Sequence, residues 1–355
     1  MNHTTWQETR FEKTLFKKIR NDDQLLEAES EKLIRKWMNA KDYLIPNVLE
    51  EIKASEPNLS DHGPRHIADV LDRAYHLLHS GDSNHDHCFE SLSSYEAYIL
   101  GFSIMYHDVG NIFGREKHNQ NIQQIFTDGF TKYDLDRDLR HVINDIASAH
   151  TGGKDSAGKS LDTLSAVDPT GLWNNKPIRS QQLAAILRFA DELAEGPQRA
   201  SILRLRSDLP LNASSKIAET STVFHEYAKC LSIQIDRAGS RLVVKLTIDI
   251  AEYRGEHQEK MVKEILDMFW LRIDVLNQER KYARHYASTL EPFKTINIQV
   301  IFFNGGTQLP ISKQHVFNDL VIPQKPALTS KCSSCTDLDS EIIWEEIKGC
   351  LEKPI

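Results

Sequence analysis

Tyr98-Ile99-Leu100-Gly101-Phe102-Ser103-Ile104-Met105-Tyr106-His107-Asp108-Val109-Gly110-Asn111 is almost wholly apolar as far as Tyr106, then sets two ionisable side chains next to each other, then stops. The run predicts a buried helix over roughly 93 to 108. A desolvated imidazole or carboxylate at the end of such a helix is costly unless it is paired or bound to a metal. A metal accounts for both residues, provided further ligands exist. Neighbouring residues on a helix point about 100° apart, so His107 and Asp108 can converge on one ion only because the helix is ending there.

Further ligands are found by following inward-facing ionisable positions outward from this pair. Gly63-Pro64 opens a helix with proline at its first position, and Ile67, Val70, Leu71, Ala74, Leu77 and Leu78 form one apolar face. His66 lies four residues before Val70 and points inward with that face. A later helix resumes at Gln181 and ends at the stop signal Gly196-Pro197. Within it, Asp191 lies four residues after Leu187 and seven after Ala184, on the apolar stripe, where a carboxylate wants a cation. Imidazole with carboxylate is the donor mix suited to divalent transition metals.

The order His66, then His107-Asp108, then Asp191 resembles the HD superfamily of metal-dependent phosphohydrolases. Asp61-His62-Gly63-Pro64-Arg65-His66-Ile67, His107-Asp108-Val109-Gly110-Asn111, Gly114-Arg115-Glu116-Lys117-His118 and Leu187-Arg188-Phe189-Ala190-Asp191-Glu192-Leu193 together resemble the HD subfamily of bacterial conflict and defence systems, HD-CE. The similarity covers about residues 50 to 205 and is far less specific after 223. It implies an all-α HD fold in which His66, His107, Asp108 and Asp191 bind a first divalent ion, with His107 and Asp108 as the catalytic pair. In the two-metal branch Asp108 bridges, and His118 and His150 occupy positions similar to the extra ligands. The native ion is left open among manganese, magnesium, iron, nickel, cobalt and zinc. The related HD-GYP phosphodiesterases carry Gly-Tyr-Pro after such a histidine. Here Thr151-Gly152-Gly153 stands instead, which argues against cyclic di-GMP hydrolysis.

The implied chemistry is hydrolysis of a phosphate ester, with a nucleotide as the expected substrate, by metal-activated water and with no covalent nucleophile. Arg115, Lys154 and Arg199 are the candidates for neutralising phosphate charge, guanidinium matching phosphate geometry in a bidentate way. His62 lies one turn before His66 but across Gly63-Pro64, and is read as a substrate contact or an outer partner of the ligands.

The rest of the chain frames this site. Its 355 residues, 40% hydrophobic, are enough to bury a full core. The fold class expected is mainly α, an HD-domain helical bundle followed by a small α/β domain. The boundaries read as an N-terminal helical arm (1–50) packing on the core or a partner, the HD domain (51–206), a linker (207–222), the α/β domain (223–305) and a loosely attached tail (306–355). Leu231–Ile235, Leu242–Ile250 and Ile296–Phe303 are β-branched and partly alternating, and a charged helix of about 257 to 290 separates the second from the third. Residues 151–180, rich in Gly, Ser, Asp, Pro and Asn, read as a long loop of the kind that covers a site.

No stretch is apolar enough for a membrane span or secretory signal, so the cytoplasm is the default compartment. A net charge of −8 offers no general attraction to nucleic acid, while Arg199, Arg204 and Arg206 are the residues from which a local basic groove would be built. Five scattered cysteines argue against a disulfide framework, and Cys332-Ser333-Ser334-Cys335 is a single CxxC without a second pair. His85 and His87 lie in a polar run that reads as surface loop.

Gly153-Lys154-Asp155-Ser156-Ala157-Gly158-Lys159-Ser160 matches the phosphate-loop pattern, but a helical pattern precedes it and Pro169-Thr170-Gly171 soon follows, where a strand and a long helix are required. Two functional classes stay open beside the phosphohydrolase: a non-catalytic metal-containing module for ligand sensing or assembly, and an HD-type nuclease on DNA or RNA. A homo-oligomer or a defence-system partner protein is compatible with each.

Overall fold

The computed structural model describes residues 8–55, 62–79, 89–114, 117–133, 135–151, 162–200, 215–253, 257–319 and 339–352. The chain is mainly α, with a small sheet near its C-terminus. Helices α1 (Arg10–Arg20), α2 (Glu27–Leu44), α3 (Glu50–Ser55), α4 (Pro64–Leu78), α5 (Ser94–Tyr106), α6 (His118–Tyr133), α7 (Arg137–Ser148) and α8 (Ser180–Leu193) come first. Among the described residues none of the helices is long and apolar enough to cross a membrane.

Helix α5 is the axis of the bundle. A capping box starts it: Ser93 Oγ accepts from Glu96 N, and the Glu96 carboxylate accepts from Ser93 N. All its residues are buried, as a helix apolar on every side requires. Gly101 permits the close approach of α1 and α2, since a Cβ there would overlap the Trp37 ring and crowd Phe11.

Of the two places expected for the N-terminal arm, the structure shows the core. Phe11, Leu15, Ile19, Trp37 and Leu44 are fully buried in the same cluster as α4 and α5. The polar anchor of this contact is Glu12, which belongs to the α1 capping box and also accepts from Trp37 Nε1 at 3.0 Å and Lys41 Nζ at 2.8 Å. Burial works against its ionisation, yet Lys41, the Thr9 amide and Trp37 outweigh it and hold the carboxyl below its usual range.

Beyond α8 come α9 (Ser215–Cys230), β3 (Leu231–Asp236), β4 (Arg241–Asp249), α10 (His257–Tyr286), β5 (Thr295–Asn304), β6 (Thr307–Asn318) and α11 (Ser340–Leu351), after an earlier short hairpin of β1 (Gly171–Trp173) and β2 (Lys176–Ile178). The sheet order is β3-β4-β5-β6, with β4 and β5 parallel across the α10 crossover and the outer pairs antiparallel. Leu242, Val244, Leu246 and Ile248 pair with Ile296, Ile298, Val300 and Phe302, and this face is buried.

Three expectations need correction. Helix α9 begins at Ser215, inside the stretch read as a linker, while 207–214 lies outside the described residues. The segment after 306 is not a loose tail. Gly305 and Gly306, at φ 60° and 81°, make the tight turn that lets β6 pair along β5, and both amides donate to Asp249. Helix α11 then buries Ile343, Trp344 and Ile347. Finally, the stretch 151–180 is not one long loop: 152–161 lies outside the described residues, and 171–178 forms the β1–β2 hairpin. Trp173 stacks on Tyr98 of α5 with centroids 5.7 Å apart and reaches Asp136 with its indole N–H, which pins the hairpin to the bundle. The CxxC, His85, His87 and the phosphate-loop-like segment lie outside the described residues.

Removing the Glu12 charge weakens the buried bonds that its carboxylate accepts from the Lys41 ammonium and the Trp37 indole. Glu12→Gln is expected to destabilise the fold by about 3 kcal/mol in denaturant unfolding. Because the Glu12 carboxyl titrates lower when folded, its contribution is present above the ordinary carboxylate range and lost as pH falls. The variant should therefore lose part of the wild-type acid sensitivity.

Candidate metal centre

Each candidate ligand is delivered by a helix end or an inward helix face. Pro64 at the first position of α4 fixes the start of that helix, and His66 follows in its first turn, 1% exposed. His107 is the C-cap of α5, and Asp108 leads into a tight turn of 3-10 helix, Val109–Phe113. The change of helix type at this junction lets two adjacent side chains share one site. Asp191 comes from the last turn of α8 and His118 opens α6. His150 follows directly on the end of α7.

Carbonyls in the last turns of α5 and α7 orient two of the rings. His107 Nδ1 donates to Ile104 O at 2.7 Å, and His150 Nδ1 donates to Ala147 O at 2.6 Å. In each neutral ring this places the proton on Nδ1 and aims the Nε2 lone pair into the cluster, the arrangement that metal-ligating histidines adopt. The negative ends of both helices also favour a cation there.

Asp108 stands at the centre, buried, with its two oxygens facing different histidines. Oδ2 lies 2.8 Å from His62 Nδ1, 3.4 Å from His66 Nε2 and 3.4 Å from His107 Nε2. Oδ1 lies 3.6 Å from both His118 Nε2 and His150 Nε2, which are themselves 3.2 Å apart. Asp191 Oδ1 completes the first side, 3.1 Å from His66 Nε2 and 3.7 Å from His107 Nε2. The ligand atoms of His66, His107 and Asp191 lie within 4.8 Å of one another, as do those of His107, Asp108 and His150, and those of His62, His66 and Asp108.

This donor set fits a divalent cation. His66 Nε2 and His107 Nε2 are buried without a hydrogen bond, and each such atom costs about 1 to 3 kcal/mol if nothing satisfies it. The electrostatics agree. Burial opposes charge on every member, but Asp108 and Asp191 outweigh it at His107 and push that ring well above its ordinary pKa. The imidazoles in turn hold Asp108 and Asp191 well below theirs. A field that draws a proton onto a buried imidazole also draws a cation. His62 differs: burial dominates and pushes it down to about 4, against the opposing pull of Asp108.

The six residues expected as ligands, His66, His107, Asp108, His118, His150 and Asp191, are thus brought into one cluster with Asp108 at its centre. His62 sits outside α4, as its place before Gly63-Pro64 indicated, and donates to Asp108. Arg199 Nη2 lies 3.4 Å from both ring nitrogens of His62, at the rim of the site. Arg115 and Lys154 lie outside the described residues. Solvent reaches the cluster where Asp191, His118 and His62 are 25%, 17% and 12% exposed, against 4% or less for Asp108, His66 and His107.

Two contributors were not singled out from the sequence. Asn111 Nδ2 donates to Asp108 Oδ1 at 3.0 Å, and its signal is the three-residue offset across a 3-10 turn. Gly110 lets α6 approach, because a Cβ there would overlap the backbone carbonyl of His118. Gly110→Ala is therefore expected to move His118 away from Asp108 and His150 at a cost of about 1 to 3 kcal/mol. Ring 15N shifts of His118 should change while those of His66 hold, and an unchanged His118 signal would refute this account.

The HD-CE family profile matches residues 56–249, more than half of the chain and all of the cluster. Searches of curated proteins and of solved structures returned no match. The ordered ligand set, its convergence on Asp108 and the extent of the match agree: this chain belongs to the HD-CE family.

Proposed function

We propose that this HD-type metal-dependent hydrolase cleaves a phosphate ester or phosphodiester, with a nucleotide or nucleotide-derived compound as substrate. Its place in a bacterial defence or signalling system, with a partner protein there, and its action in the cytoplasm belong to the same proposal. The observation that carries it is the two-sided environment of Asp108, one carboxylate oxygen facing His62, His66 and His107 and the other facing His118 and His150.

In this reading His66, His107, Asp108 and Asp191 would hold one divalent ion, and Asp108, His118 and His150 would hold a second. When bound, such ions acidify water and neutralise charge on phosphoryl oxygens. The chain's own residues do the rest. Asn111 and His62 hold the Asp108 carboxylate in one orientation from opposite sides. The carbonyls of Ile104 and Ala147 keep Nε2 of His107 and His150 available as donors. The buried walls exclude bulk water from the Asp108 side, so a substrate enters past Asp191 and His118. Arg199, beside His62 at this opening, neutralises and orients the entering phosphate, a task that a guanidinium performs with two parallel hydrogen bonds. Arg115 and Lys154 are the further candidates for that role.

The test is phosphate or nucleotide release by the purified chain with manganese, magnesium, cobalt or nickel, over a panel of nucleotides, oligonucleotides, DNA, RNA and a generic phosphodiester. Turnover by the wild type and none by Asp108→Ala is expected, with Arg199→Ala raising KM roughly 10-fold. Stoichiometric metal with no cleavage of any substrate would leave a ligand-sensing module as the better reading. Cleavage confined to DNA or RNA would make the protein a nuclease.

A further inference from the structure

Asp191 does not sit on a freely packed helix. Positions 188, 191 and 192 fall on one stripe of α8, and Arg188 and Glu192 of that stripe are tied to α10, which begins after the HD-CE match ends. Arg188 makes a two-pronged contact with Glu279, Nε to Oε2 at 2.5 Å and Nη2 to Oε1 at 2.6 Å. Arg272 donates to Glu192 at 2.9 Å and to Glu195 at 3.2 Å. Tyr227 of α9 adds its hydroxyl to Glu195 at 3.2 Å. The residue three before Asp191, the one after it and the one four after it are therefore all anchored to the C-terminal region.

A second line runs from the same helix to the other side of the cluster. The remaining prong of Arg188, Nη1, donates to Thr163 Oγ1 at 2.8 Å, and the Thr163 hydroxyl donates to Ala149 O at 2.8 Å. Ala149 is the C-cap of α7 and precedes His150. Glu279, Arg188, Thr163 and the end of α7 form one continuous chain of hydrogen bonds, and the Tyr282 ring of α10 lies 5.1 Å from the Arg188 guanidinium. With Arg188 3% and Glu279 8% exposed, water does not compete for these bonds, so they transmit position.

We infer that Arg272 and Glu279 of α10 are positioning residues for the metal centre, setting Asp191 through Glu192 and Arg188, and setting His150 through Arg188 and Thr163. This rests on the two-ion reading of the cluster above. It makes the C-terminal region part of the hydrolase's working structure rather than an appended module. Partners of metal ligands that act from outside the coordination shell commonly change affinity by about 10- to 100-fold.

The uncharged link, Thr163, gives the cleanest test, because its replacement leaves every ion pair intact. Thr163→Val is expected to weaken manganese binding by about 10-fold in calorimetric titration and to shift the ring 15N resonances of His150 in the metal-free chain. Thr163→Ser restores both, and the melting temperature of the metal-free protein stays near wild type. Arg272→Met, with Arg272→Lys as the partial rescue, should weaken manganese binding likewise. Should Arg272→Met fail to fold, the triple neutral variant Arg272→Met, Glu192→Gln, Glu195→Gln takes its place. Folded variants with wild-type affinity and unchanged His150 resonances overturn the inference, as does a loss that only tracks a lowered melting temperature. Failure of the wild type itself to bind manganese overturns the two-ion reading instead, and the His150 resonances still decide whether Thr163 sets that ring.

Discussion

A carboxylate buried among five imidazoles is the constraint on which the rest of this structure depends. Asp108 is 3% exposed, and its desolvation is tolerable only because positive charge and hydrogen-bond donors surround it. That requirement reaches far from the site. It demands that α4, α5, α6, α7 and α8 all bring an end or an inward face to one point, and it leaves little freedom in how the bundle is assembled. The small residues at the closest approaches follow from it: Gly110 beneath the start of α6, and Gly101 where α1 and α2 close over the central helix.

Helix ends do most of the chemical preparation. Histidines placed just past the last turn of α5 and α7 bond to carbonyls of that turn, so a backbone group fixed by the helix sets the ring tautomer. The same economy recurs at Glu12, whose carboxylate caps α1 and also neutralises Lys41. In both places a helix end holds a group with a task in tertiary structure. Single substitutions there are expected to be felt at a distance.

The α8–α10 contact shows how the C-terminal region is joined to the helical bundle. It is a polar and largely buried contact, in which Arg188 meets Glu279 and Arg272 meets both Glu192 and Glu195. Such pairs contribute modestly to net stability, because desolvation offsets most of their attraction, but they are directional. Apolar packing would hold α8 in place as firmly while leaving its rotation and register less defined. Directional bonds on a helix that carries a metal ligand define both.

Much of this was legible in the amino-acid order. The periodicity of α4, the uninterrupted apolar run of α5 and the stop at Gly196-Pro197 name the helices that carry His66, His107-Asp108 and Asp191, because burial is written into a helix at every third or fourth position. The family resemblance rested on those same local patterns. Helix α9, strand β6 and the hairpin at 171–178 were not visible in this way, since weakly patterned segments acquire structure from what they pack on. The sequence by itself determined which residue types were available for a metal centre and on which helices they lay. Only the tertiary structure decided that Asp108 turns its two oxygens to two different sets of histidines, that Asn111 and His62 hold it there, and that α10 stands behind Asp191. Those facts depend on distances between segments far apart in the chain, and periodicity along one segment carries no information about what packs against it.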